Sequence, residues 1–194
     1  ESLRDEVLEM LPTFMSHPNC VAAGELGFDE ITDAEKVSLI AQIALANEHD
    51  LPVLVHTPHR DKARGAIMIM DILEDLGVSP DRAIIDHSTE ETTKSILDRG
   101  FWAGHTVYPQ TKLTPDRFAN IYNEFGIERV LLNTSADWGK SDPLLLQQSI
   151  AYLERRGADR STLQKLVWDN PISFFGAERL NIPEAGEAFD PVAA

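Results

Sequence analysis

Five short apolar runs, each followed by a segment of helical periodicity, constrain this 194-residue chain more than any other feature. The runs are Val21-Ala22-Ala23-Gly24-Glu25-Leu26, Pro52-Val53-Leu54-Val55-His56, Ala83-Ile84-Ile85-Asp86-His87, Phe101-Trp102-Ala103-Gly104-His105 and Arg129-Val130-Leu131-Leu132-Asn133-Thr134. Val53-Leu54-Val55 lacks polar alternation, the pattern of a strand buried on both faces, and such strands belong to parallel sheets. Parallel neighbours need crossovers. The intervening segments supply them: residues 33–49 carry an apolar stripe at Val37, Ile40, Ala41 and Ala44 with Asp33 as a plausible N-cap, and residues 62–76 repeat the pattern. Thr89 caps a helix expected at 90–98, Thr114 one at 115–125, and Asp142-Pro143 opens 144–155, with Pro at the favoured first helical position. Gly77, Gly100, Gly126 and Gly157 each follow a helix and fit its stop position.

Strand-helix alternation leaves two architectures, an open doubly wound sheet or a closed barrel. Five strands do not close a standard eight-stranded barrel. Either the sheet is open, or about three βα units that precede Glu1 are absent from this chain. Residues 1–183 are expected to form one domain and 184–194 an acidic, loosely held tail. The composition, 43% hydrophobic and 25% charged, is that of an ordinary globular domain.

The longest apolar stretches are broken within about ten residues, short of the roughly 20 that a spanning helix needs, so no membrane span is expected. Residues 1–15 mix acids and bases, unlike a signal peptide, and the first residue is Glu1, so the true start of the gene product is expected to be missing. Cys20 stands alone. It excludes an internal disulfide and a Cys-rich zinc site and fits a reducing compartment, so the expected location is cytoplasmic. A net charge of -15 repels phosphate backbones at long range, which argues against a nucleic-acid coat protein. A bound divalent cation would reverse that locally, which leaves room for a small-molecule or nucleotide-type substrate.

Three of the runs end in or near a metal-type ligand: Glu25, His56 and His87. The first two lie 31 positions apart, and so do the second and third. That is about one βα unit, so the three groups fall at the same end of neighbouring parallel strands. Asp137, 50 positions past His87, follows the fifth run. Together Glu25, His56, His87 and Asp137 would make a mixed nitrogen and oxygen site suited to Zn or Mn. A helix-capping carboxylate, structural histidines and an ordinary Asp137-Trp138-Gly139 turn are the plainer readings, and the shared spacing weighs against them for the first three. Just beyond His56, the groups of His59, Arg60 and Lys62 are placed to hold a substrate anion. His105 ends the fourth run, either at the mouth as a substrate contact or packed inward. No nucleophile elbow, phosphate-binding Gly-rich loop or dinucleotide fingerprint is present.

Gly24-Glu25-Leu26-Gly27-Phe28-Asp29 resembles the Gly-Glu-Ile-Gly-Leu-Asp segment of TatD-related hydrolases, and Pro52-Val53-Leu54-Val55-His56 is similar to their next strand, which ends in a ligand His. His87 fits the third motif by position, and Asn170-Pro171 followed by Phe174-Phe175-Gly176 resembles their closing helix. The resemblance covers residues 21–180. It implies a (β/α)8 TIM-type barrel represented here by strands four to eight, with the family's first-strand His-x-His pair in missing chain. It also implies one or two divalent ions (Zn, Mn or Mg) held by Glu25, His56, His87 and a final Asp, and hydrolysis of an ester by metal-activated water, with Asp137 as ligand or base. Two departures stand out. The family's final Glu-Thr-Asp is here Asn133-Thr134-Ser135, and Ser88-Thr89-Glu90 replaces Cys-Phe-Ser after the third motif. A C–N or lactone hydrolase of the same superfamily and a non-catalytic scaffold are the rival readings.

Overall fold

The computed structural model describes residues 2–135 and 139–182. Asp137 and the segment 184–194 expected as a tail therefore lie outside the described residues. Five strands, β1 (Ala23–Gly27), β2 (Val53–His56), β3 (Ala83–Asp86), β4 (Trp102–Val107) and β5 (Val130–Thr134), form one sheet. They are hydrogen-bonded in chain order, every pair parallel, with β1 at one edge. Each of the five apolar runs is a strand. The crossovers are α2 (Asp33–Glu48), α3 (Lys62–Asp75), α4 (Thr93–Asp98) and α5 (Pro115–Phe125). Before them stands α1 (Ser2–Met15); after β5 come α6 (Leu145–Arg155), α7 (Arg160–Gln164), a π turn at Lys165–Asp169, and α8 (Asn170–Phe175). Among the described residues, no helix is long and apolar enough to cross a membrane.

Two helix starts differ from the sequence expectation. Thr32, not Asp33, caps α2: its hydroxyl accepts from the Glu35 amide while the Glu35 carboxylate accepts from the Thr32 amide at 2.7 Å. This reciprocal capping box satisfies two otherwise orphaned donors, which Asp33 inside the helix could not do. Thr89 likewise does not start a helix at 90. Its carbonyl accepts from the Thr92 and Thr93 amides and its own amide donates to the Thr92 hydroxyl, so the chain makes a turn first and α4 begins at Thr93.

Because successive side chains on a strand point to opposite faces, each strand divides its residues between two environments. Val53, Val55, Ala83, Ile85 and Ala103 join Leu39 and Ile43 of α2 and Ile69 and Leu73 of α3 in the main buried cluster. On the other face the strands change character along their length. Near the N-terminal ends, Leu54, Ile84, Trp102 and Leu131 pack together with Phe174 and Phe175 of α8, Trp102 meeting Phe174 edge-on at 5.6 Å. At the C-terminal ends the same face carries His56, Asp86, Thr106 and Asn133. Between the two layers lies Gly104, where a Cβ would fall 2.4 Å from Asp86 Oδ1 and 2.8 Å from Ile84.

Candidate metal centre

Glu25, His56 and His87 converge at the C-terminal ends of β1, β2 and β3. One ligand atom from each lies within 4.8 Å of the others, the candidate metal cluster found among the described residues. Glu25 Oε1 is 2.7 Å from His87 Nε2, and Glu25 Oε2 is 3.6 Å from His56 Nδ1. The two imidazoles lie 6.1 Å apart between centroids with 27° between their planes. Facing these two rings, the Glu25 carboxyl is held well below the usual carboxylate range.

Local backbone accounts for the convergence. His56 pairs in register with Gly27 on one side and Asp86 on the other, so Glu25 and His87 are each staggered from it. The stagger is absorbed in two places. The β1–β2 register shifts between Ala23 and Leu26, and His87 takes a left-handed φ of 57° just past the end of β3. Adjacent strand residues would otherwise face opposite ways; the turn at His87 lets Asp86 and His87 serve the same site. Gly27 contributes by lacking a side chain, since its φ is 154° and a Cβ would fall 2.0 Å from the His56 ring.

The cluster opens into a cleft of about 690 Å³ whose walls include Asp29, His59, Asp86, Lys112, Asn133 and Ser135. Beside it a narrower recess of about 50 Å³ is lined by His59, Lys62, Lys112 and Arg117 with hydroxyls from Ser88, Thr89, Thr106 and Thr111. Lys62 is pinned: its amine donates to Thr57 Oγ1 at 2.7 Å and to the His87 carbonyl at 3.0 Å, tying the loops after β2 and β3 together. Burial, helped by the Lys112 charge, lowers its pKa to about 8. Desolvation, then Lys62 and Lys112, hold His59 below its ordinary value.

Of the residues picked out by sequence, Glu25, His56 and His87 meet, and His59 and Lys62 line the adjoining walls. Arg60 is exposed and lines neither cavity. His105 requires a correction. It is fully buried on the helix-covered face, its Nε2 2.9 Å from Thr93 Oγ1 and its ring 5.5 Å from Phe118 of α5. The reason is parity: β4 runs on to Val107, so His105 is an interior strand position pointing away from the cleft, and Thr106 is the residue on the site's face, lining the recess. Sequence reading also missed Asp86, Asn133, Thr106 and Lys112. Asp86 was legible as the one charge ending an otherwise apolar run; Lys112, in the loop after β4 and against His87 Nε2, left no such trace.

One carboxylate and two imidazoles converging at the C-terminal edge of a parallel α/β sheet form a donor set that fits a divalent cation of the Zn or Mn type. The chain belongs to the TatD related DNase family, whose model matches residues 1–176. It is 32% identical over 171 residues to an uncharacterized metal-dependent hydrolase of Methanocaldococcus jannaschii, a match covering 87% of this chain and 66% of that protein. Among solved structures, it resembles a TatD-like protein from Archaeoglobus fulgidus (TM-score 0.65, 28% identity, 86% of this chain and 64% of that one). It also shares the fold of the TatD homolog YjjV from Escherichia coli (TM-score 0.65, 23% identity, 92% of this chain and 71% of that one). The chain thus spans just under two thirds of the length of the two archaeal relatives.

Proposed function

We propose that the protein is a divalent-metal-dependent hydrolase acting on phosphoester bonds of a nucleotide-type or other small anionic substrate. The observation that carries this reading is the convergence of Glu25, His56 and His87 within 4.8 Å in a cleft that Lys112 also lines, beside a recess lined by Lys62, Lys112 and Arg117. Among the described residues the site brings together one carboxylate and two imidazoles beside an open cleft, which suits a catalytic cation more than a closed structural one. A cation held there supplies Lewis acidity and lowers the pKa of a coordinated water to about 7. The chain's own residues do the rest. Glu25, His56 and His87 would hold the cation, Lys62 and Lys112 set positive charge beside it that a phosphoryl oxygen would meet, and His59 offers a ring hydrogen bond. Asp137, two residues beyond the cleft-lining Ser135, is assigned as the base that accepts the water proton or as a further ligand. The family's description as a DNase and the name of the archaeal relative support hydrolysis. The five strands are read as strands four to eight of a (β/α)8 barrel, and the location as cytoplasmic.

The test is a panel assay on protein reconstituted with Zn2+ or Mn2+, using bis(p-nitrophenyl) phosphate, a p-nitrophenyl phosphomonoester, a lactone and an anilide. Chelator-sensitive turnover of a phosphoester is the expected result. Turnover confined to the lactone or the anilide would move the assignment to the sister chemistries, and bound metal without turnover of any of the four would favour a scaffold. Asp137→Asn is expected to reduce turnover by about 100-fold or more, with metal content unchanged where Asp137 is the base and lowered where it is a ligand. A large loss from Ser135→Ala alone would transfer the role to that position.

A further inference from the structure

The layer behind His87 is a buried chain of polar groups that the cation-binding role itself does not require. His87 Nδ1 is 2.7 Å from Thr106 Oγ1, and that hydroxyl is 3.5 Å from Asp86 Oδ1. Asn133 Nδ2 donates to the same Asp86 oxygen at 3.1 Å, while Asp86 Oδ2 lies 3.5 Å from His87 Nδ1. Asp86 is 3% exposed and Thr106 1%. Burying a carboxylate at the end of Ala83-Ile84-Ile85 is costly unless it is hydrogen-bonded, and the sheet is cut to receive it, Gly104 leaving vacant the space its Cβ would take 2.4 Å from Asp86 Oδ1.

We propose that Asp86 and Thr106 are positioning residues for His87, fixing its ring with the proton on Nδ1 and the Nε2 lone pair turned to the metal centre. This rests on the metal-site reading above. The direction of the chain follows from its end groups. A carboxylate only accepts, so the single Thr106 proton points to Asp86 and the Thr106 lone pairs are left to accept from His87 Nδ1–H. At the other side of the ring, Nε2 stands 2.7 Å from the acceptor-only carboxylate of the proposed ligand Glu25, so it is the nitrogen on the side of the metal centre, where a cation would take the place of the proton shared with Glu25. Nε2 is thus the nitrogen offered to the cation. Partners of this kind orient a ligand histidine and raise its basicity, and losing one costs about 10–100-fold in metal affinity.

The test combines ring-nitrogen NMR of 15N-histidine-labelled protein with Zn2+ affinity measured by competition against a chromogenic chelator. In the Zn2+-loaded wild type, His87 is expected to show a protonated Nδ1 and a metal-bound Nε2. Thr106→Val should weaken Zn2+ binding by roughly 10–100-fold and expose the Nδ1 proton to rapid exchange, and Thr106→Ser should restore both. Asp86→Asn, which keeps the side-chain shape, should weaken binding at least about fivefold and serves where Val at 106 fails to fold. Zn2+ on Nδ1 of His87, or wild-type affinity in folded Thr106→Val or in Asp86→Asn, would overturn the proposal. If the wild type itself takes up no Zn2+ at Glu25, His56 and His87, the metal reading falls and this inference with it; wild-type binding with unaffected variants sinks the inference alone.

Discussion

The same strands build two unlike surfaces on one face of the sheet. At their N-terminal ends, Leu54, Ile84, Trp102 and Leu131 close against Phe174 of α8. Two residues further along each of β2, β3 and β5, the side chains are His56, Asp86 and Asn133, joined on β4 by Thr106. The lower layer holds the last helix against the sheet and the upper one presents ligands, although the backbone, pleat and pairing are common to both. Position along the strand, rather than the strand itself, assigns a residue to stability or to chemistry, the division expected of parallel α/β folds.

The division can be broken from either side. The largest expected effect is on the lower layer: Trp102→Ala should cost about 3–5 kcal/mol in urea unfolding, as loss of a large buried aromatic does, while Zn2+ affinity stays within error of wild type. A matching loss of metal binding would show that the layers are not separable. Glu25→Ala should do the reverse, lowering Zn2+ affinity beyond the roughly 100-fold ceiling of outer partners while the metal-free thermal midpoint moves little.

The third effect concerns the helix-covered face. Burial lowers the His105 pKa to about 4, so between that value and its ordinary 6.5 the folded chain binds fewer protons than the unfolded one. Stability therefore falls as pH drops through that window, by up to roughly 3 kcal/mol from this group, and is indifferent to it above 6.5. His105→Gln should flatten the acid limb of unfolding midpoint against pH; an unchanged limb would remove His105 as its cause. Smallest of all, Arg60→Ala should alter turnover of bis(p-nitrophenyl) phosphate by less than about twofold, because the side chain is solvated and off the cleft.

How far these contrasts could be read in the sequence depends on which period carried them. The strands were legible because apolar runs bounded by helical stripes have few alternatives, and Glu25, His56 and His87 were legible because equal spacing in a βα repeat means alignment. Parity was not legible. Whether His105 or Thr106 faces the cleft turns on where β4 ends and how it pairs, and a single-residue difference reverses the answer. Asp86 and His87 are adjacent, so strand alternation alone would give only one of them to the site; the left-handed φ at His87 is a tertiary outcome that no local pattern announced. The Thr32 capping box was written in Thr32-Asp33-Ala34-Glu35, and reading Asp33 alone passed over it.

Gly27 carries a consequence of another kind. The His56 ring is seated against the backbone of β1, and β1 also carries Glu25, so one strand supplies a ligand and the seat of a second. A local opening that parts β1 from β2 would remove both together. Ligand binding and closure of that strand pair are then a single equilibrium seen from two sides. A cation joining β1 to β2 and β3 would slow amide exchange at Leu26 and Gly27 by the factor by which it favours the closed pair, and opening of that pair would set the rate at which the ion escapes.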